Sequence, residues 1–192
     1  MSTRGFISFA VNGATKTAYN HHDSYPDGLG LDVLRWAREA DLGAAKTAAQ
    51  ALRVVTDVDE PTDEDIERLA PFTNRTVGGR RERPDWYQLL RETQGSPARM
   101  LQAGVIGDAS EFPADSLFAE WGYVVDFDAQ NFEVYEGFQK RAHTEGRFAS
   151  PESDDNGYYP VRLIRLWPLT ALPDDRTFVA ELEGEDGGSD DR

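Results

Sequence analysis

Two residues, Asn12-Gly13, constrain this chain more than any others. Both central positions of a two-residue type I′ hairpin need positive φ, which Asn and Gly adopt at least cost. The runs on either side, 4–11 and 14–21, therefore read as the arms of an antiparallel hairpin. Counting outward sets the register: Val11 opposite Ala14, Phe9 opposite Lys16, Ile7 opposite Ala18, Phe6 opposite Tyr19 and Arg4 opposite His21. One face then carries Ile7, Phe9, Val11 and Ala18, the more apolar set and the expected core side.

The rest of the chain alternates between helical and extended patterns. A turn-rich stretch at 23–30 leads into a helix over 31–40, with Val33, Trp36, Ala37 and Ala40 at helical spacing. The Ala-rich run 42–55 reads as a second helix. Thr62-Asp-Glu-Asp65 is a capping-box pattern that opens a short helix ending near Pro71. Pro84 and Pro97 each stand near the first turn of a short helix, over 84–93 and 97–102. Strands at 121–127 and 131–136 flank Asp128-Ala129-Gln130 as a second hairpin. A polar, Gly-rich loop comes next at 137–157, with a mobile acidic stretch near its end. A third strand region is expected at 158–166 and a last helix at 174–182. The pattern predicts one α+β domain over 1–182, with residues 183–192 a disordered acidic tail. Its antiparallel sheet has about five strands, two hairpins plus one strand, with helices packed on one face.

Charge narrows the function classes. The chain has 35 acidic and 20 basic residues, a formal net charge of −15. Residues 57–67 hold seven acids and no base, 152–155 hold three acids, and 181–192 carry a net −5; together these account for the whole excess. Generic binding to nucleic-acid phosphates is therefore disfavoured. With no cysteine, disulfides, thiolate metal sites and cysteine nucleophiles are excluded. No apolar run reaches the roughly 18–20 residues of a membrane span, and the first eleven residues do not read as a signal peptide. The expectation is a cytoplasmic protein with no membrane partner.

Several groups are candidates for chemistry. Tyr19, His21, Asp23 and Tyr25 crowd the junction after the second strand, with Arg4 opposite His21. They form a candidate ligand-binding set, or a tie between hairpin and loop. Within it His21 and Asp23 are candidate catalytic residues, a base and its orienting carboxylate. His21 and His22, adjacent on a strand, are expected on opposite faces. Ser2, if freed by removal of Met1, is a candidate N-terminal nucleophile. The acids Asp57, Asp59, Glu60, Asp63, Glu64, Asp65 and Glu67 read either as a solvated helix start or as a docking patch for a basic partner. Arg75, Arg80, Arg81 and Arg83 form a candidate anion-binding loop, or neutralise the acids before them. Gly28-Leu-Gly30 reads as a turn, because Asp27 and Asp32 would repel a phosphate there. No histidine spacing marks a metal site, and no motif calls for a cofactor.

Ser2-Thr-Arg4 followed by Tyr19-x-His21-x-Asp23-x-Tyr25-Pro26 and Gly-Leu-Gly resembles a family of small uncharacterised proteins of bacteriophages and some bacteria. These begin with a small-Thr-Arg segment, a hairpin and a Tyr-x-His-Trp-Asp-Gly-Tyr-Pro box. Trp121-Gly-Tyr-Val-Val-Asp126 and Phe132-Glu-Val-Tyr135 resemble that family's second hairpin. The likeness covers about the first 40 residues and the 120–137 region. The chain departs from the pattern at His22, where the family has Trp, and at Ser24, where it has Gly; His21, Asp23 and Tyr25 are the residues carried over. The resemblance implies a phage or bacterial cytosolic setting (host cytoplasm, if phage-encoded) and no particular activity. The leading expectation is a non-enzymatic accessory protein binding a host macromolecule, such as a host protein, or a small ligand, as an inhibitor of a host process. The alternatives are a small hydrolase sited at the first hairpin and a protein that sequesters a nucleotide signal.

Overall fold

In the computed structural model, which describes residues 3–183, the Asn12-Gly13 turn stands where the sequence puts it, with φ of 53° and 74°. Strands β1 (Gly5–Val11) and β2 (Ala14–Asn20) pair antiparallel from Val11↔Ala14 through Phe9↔Lys16 and Ile7↔Ala18 to Gly5↔Asn20. The ladder ends there, one residue short of Arg4 and His21. The second hairpin is β5 (Trp121–Asp126) and β6 (Asn131–Glu136). With β7 (Arg162–Pro168) these strands make one five-stranded sheet, ordered β2-β1-β5-β6-β7.

The sheet is mixed rather than wholly antiparallel, because β5 runs parallel to β1. A parallel neighbour needs a crossover, and the helices between β2 and β5 supply it. These are α1 (Leu31–Glu39), α2 (Leu42–Ala51), α3 (Asp63–Arg68), α4 (Trp86–Leu89) and α5 (Pro97–Ala103). A last helix, α6 (Asp175–Glu183), comes after β7.

Alternation along the strands builds two apolar layers. Ile7, Phe9, Val11, Tyr123, Val125, Phe132 and Val134 face α1, α2, α5 and α6 through Val33, Leu34, Ala49, Met100 and Phe178. The opposite residues, Phe6, Ala10, Val124 and Tyr135, are also buried, under Ala119 and Val161 with Phe148 against them. Helices thus pack on one face and the 137–161 segment covers the other. That segment, polar by sequence, is fastened by Arg147. Its guanidinium pairs with Asp126 and donates to Glu133 at 2.6 and 2.9 Å, while Tyr135 Oη donates to Glu133 at 2.7 Å.

A third cluster, Val55, Leu69, Phe72, Trp86, Leu89, Leu90, Ala103 and Val105, joins α3–α5 to a small parallel sheet. That sheet is β3 (Arg53–Val55) with β4 (Val105–Gly107). The helix expected over 42–55 is therefore cut short: α2 ends at Ala51 and Leu52 turns extended, with ψ of 118°. Lys16 Nζ, reaching from β2, donates to the carbonyls of Ala49, Gln50 and Leu52 at 2.7–2.9 Å and closes the helix end.

Candidate functional site

The chain leaves the sheet at Asn20, and that side chain shapes the turn over 21–24. Asn20 Nδ2 donates to the carbonyl of His22 at 2.6 Å and to Ser24 Oγ at 2.8 Å. Ser24, fully buried, donates its N–H to the carbonyl of Thr3 at 3.2 Å. Asp23 takes up the left-handed conformation, φ 56°, to close the turn.

Strand alternation no longer applies beyond Asn20, so His21 and His22 swing together instead of apart. Their rings meet edge to face, centroids 4.6 Å apart. His21 Nδ1 is hydrogen-bonded to Tyr19 Oη at 2.9 Å. Arg91, from a 3₁₀ turn after α4, brings Nη2 to 3.0 Å from His22 Nε2. A guanidinium can only donate, so His22 Nε2 accepts and its proton sits on Nδ1. The same guanidinium lies over the Tyr87 ring at 5.9 Å.

This crowding sets the electrostatics. Burial holds the His21 imidazolium below its ordinary range, and the fields of His22, Arg91 and Arg4 push it down further. Tyr19 moves the other way: burial raises its phenol, against the pull of Arg4 and Arg91. Neutral imidazole and neutral phenol are thus the forms this corner favours. Beside them lies a cavity of about 280 Å³ lined by Tyr19, Trp86, Tyr87, Leu90, Met100 and Ile106, with Asp57 and Asp108 contributing carboxylates. Gln94 borders it and also borders a second hollow of about 260 Å³ that contains His22, Arg91, Asn20 and Asn74. The cleft therefore has a ring-lined compartment and a hydrogen-bonding one, in which the Arg91 guanidinium stands with the Glu92 carboxylate.

The five residues expected to form one ligand site do not gather in one place. Tyr19 and His21 do. Arg4 sits over Phe118 at 5.1 Å and acts on both through its charge. The Asp23 carboxylate packs against Gly28, while its carbonyl accepts from Leu29 N–H at 2.9 Å. Tyr25 lines a different groove. Ser2 lies outside the described residues, as does most of the expected tail, residues 184–192; residue 183 belongs to α6.

The acidic segment is partly consumed by the fold. Asp59 accepts from Thr56 N–H and Oγ1 at 2.7 and 2.8 Å. Asp63 pairs with Arg83 at 2.7 Å. Asp65 is buried, completes the capping box with Thr62, and takes Arg53 at 2.5 Å. Of the seven acids only Asp65 is buried; Asp57, Asp59, Glu60, Asp63, Glu64 and Glu67 are exposed. In the basic loop, Arg75 donates to the carbonyls of Arg81 and Glu82, and Arg81 pairs with Asp85 at 3.2 Å. Arg80 lines a wide depression with Arg75 and Arg81, whereas Arg83 turns back to Asp63. The loop does not close as a four-arginine clamp.

Arg91, Tyr87 and Trp86 carry no signal in the sequence that ties them to Tyr19; they come with α4, whose Trp86 and Leu89 pack with Val105 of β4 in the third apolar cluster. Among the described residues no group of three His, Asp or Glu side chains is placed to hold a metal ion, and no helix is long and apolar enough to cross a membrane. No protein-family model, no curated protein and no solved structure matches the chain.

Proposed function

We propose that this chain is a non-enzymatic binding protein whose ligand is a small molecule with a ring and an anionic group, held in the cleft between Tyr19 and Arg91. One observation carries this reading: the ring-lined cavity of Tyr19, Trp86 and Tyr87 adjoins the cluster of Arg91, His21 and His22. Rings stack on rings, and a guanidinium with imidazole donors suits an anion. Asp57 and Asp108 can accept from amino groups on the ring. Nucleotides combine all three features. The resemblance of the N-terminal box to phage proteins favours an accessory role, in which capture of a host nucleotide inhibits a host process.

The hydrolase reading has less support. His21 Nδ1 faces the Tyr19 phenol rather than an orienting carboxylate, and its depressed basicity makes it a poor general base. Docking of a basic macromolecule on 57–67 has less support, because Asp65 is buried and the exposed Asp59 and Asp63 already meet Thr56 and Arg83.

Calorimetry and NMR with a panel of nucleoside mono- and diphosphates test the proposal, with inorganic phosphate and free nucleosides as part-ligands. At least one nucleotide binds more tightly than either part. Tyr87→Ala and Arg91→Ala each weaken it, and the nucleotide is recovered unchanged. A panel without any binder, or turnover abolished by His21→Ala, overturns it.

A further inference from the structure

The surface holds a second groove, about 580 Å³, bordered by the turn after β2, the ends of β5 and β6, and Val179, Leu182 and Glu183 of α6. No residue lines both this groove and the Tyr19 cleft. Tyr25, Trp121 and Phe138 present rings to it, and Tyr25 and Phe138 are 46% and 52% exposed. Asp27, Glu120, Glu136 and Glu183 present carboxylates. Arg162 stands 3.7 Å from Glu136, and Glu120 accepts a backbone N–H, that of Arg4, at 3.2 Å.

Phe138 is the informative residue. Its φ of 56° is a conformation that bulky L residues avoid. The backbone is pinned on both sides of it. Phe138 N–H donates to the Ser116 carbonyl at 2.7 Å, Gly137 N–H donates to the Glu120 carbonyl at 2.9 Å, and Gln139 N–H donates to Ser116 Oγ at 3.1 Å. The fold thus holds an apolar ring out in water beside four carboxylates. Phe138 belongs to none of the three apolar clusters.

Rings rimmed by carboxylates match an organic cation on an apolar stem: the stem packs on the rings, the charge meets their faces, and the acids complete the neutralisation. An anion would be repelled. We propose that this groove binds an alkylguanidinium or alkylammonium group. Its volume suits one long cationic side chain or a small amine rather than a folded domain.

Calorimetry on the full chain, with agmatine and with acetyl-Gly-Arg-Gly-amide, tests this. Both bind, with Kd on the order of 1 mM; the citrulline peptide, alike in shape but uncharged, does not. Tighter binding of the peptide marks a polypeptide-borne cation, and tighter binding of agmatine a free amine. Phe138→Gly relieves the backbone and keeps the fold, so its melting temperature does not fall, yet it weakens binding by about fivefold. The pair Asp27→Asn/Glu183→Gln weakens it at least as much. The pair Glu60→Gln/Glu64→Gln removes the same charge elsewhere and changes nothing. Failure of both probes to bind, full affinity in Phe138→Gly, or an equal loss in the Glu60/Glu64 pair overturns the proposal. None of these outcomes bears on nucleotide binding at the Tyr19 cleft.

Discussion

Tyr19 Oη and His21 Nδ1 lie 2.9 Å apart, across the point where β2 gives way to a turn. The pair links a strand residue to a loop residue, and its protonation is set largely from outside the hairpin. Burial is the first reason His21 titrates below its ordinary 6.5; His22, Arg91 and Arg4 add to it. Between the folded and unfolded values the folded chain binds fewer protons. The stability linked to His21 is therefore fully present above about 6.5 and is lost as pH falls through the lower, folded value. In Arg91→Ala the His21 midpoint, followed by NMR of the imidazole protons, moves upward. An unmoved midpoint would mean that Arg91 exerts no field there.

Arg147 bridges two buried carboxylates, Asp126 and Glu133. Removing it leaves both charges desolvated, which costs about 3–5 kcal/mol for a buried pair. Arg147→Met is expected to lose stability in that range by urea unfolding. It also exposes amides of 137–161 to hydrogen exchange, because the segment loses its fastening to the sheet. A loss below about 1 kcal/mol, on the scale of an exposed pair, would contradict the desolvated geometry.

Gly122 lies opposite Phe6 at the parallel β1–β5 junction. A Cβ there would meet the Phe6 ring at 2.0 Å, with both strands fully packed around it. Gly122→Ala is expected to cost at least the roughly 1–3 kcal/mol typical of overpacking. Adding Phe6→Leu should restore part of it, since the shorter side chain frees the contested volume. Thermal unfolding of the single and double variants separates this clash from a simple change in strand propensity.

Asp65 couples α3 to β3. Burial alone would raise its pKa, but hydrogen bonds from Thr62 and from Arg53 outweigh it and hold the carboxyl below 3.8. That stability is present above 3.8 and lost as pH falls through the folded value. Asp65→Asn should lower stability at neutral pH by about 1–3 kcal/mol and flatten the acid limb of the stability curve. Thr62→Ala, which removes one side of the capping box, should cost about 1 kcal/mol. Urea unfolding of both variants between pH 3 and pH 7 checks the pair of values.

Much of the fold was legible because it is written locally. Asn12-Gly13 set the β1–β2 register, and Thr62 to Asp65 marked the start of α3. The second hairpin and α6 lie within a residue or so of their expected places. The third strand was expected at 158–166 but runs Arg162–Pro168. Its leading residues turn away instead, with Val161 donating to the Pro113 carbonyl and packing beneath the sheet. Of the candidate site, only the Tyr19–His21 pair was visible, two positions apart. The expected separation of His21 and His22 failed because strand alternation stops at Asn20.

The sequence by itself determined the hairpins, the capped helices and the localisation of excess charge, since each depends on residues a few positions apart and on backbone preferences that need no partner. Only the tertiary structure decided where α2 stops, how β5 joins β1, and which side chains meet Tyr19. Lys16 ends α2 from across the fold, Arg83 rather than a partner answers Asp63, and Arg91 is carried to His22 by the packing of α4. Contacts of that kind join residues remote in the chain. They exist only once burial of the apolar faces has fixed the elements against one another.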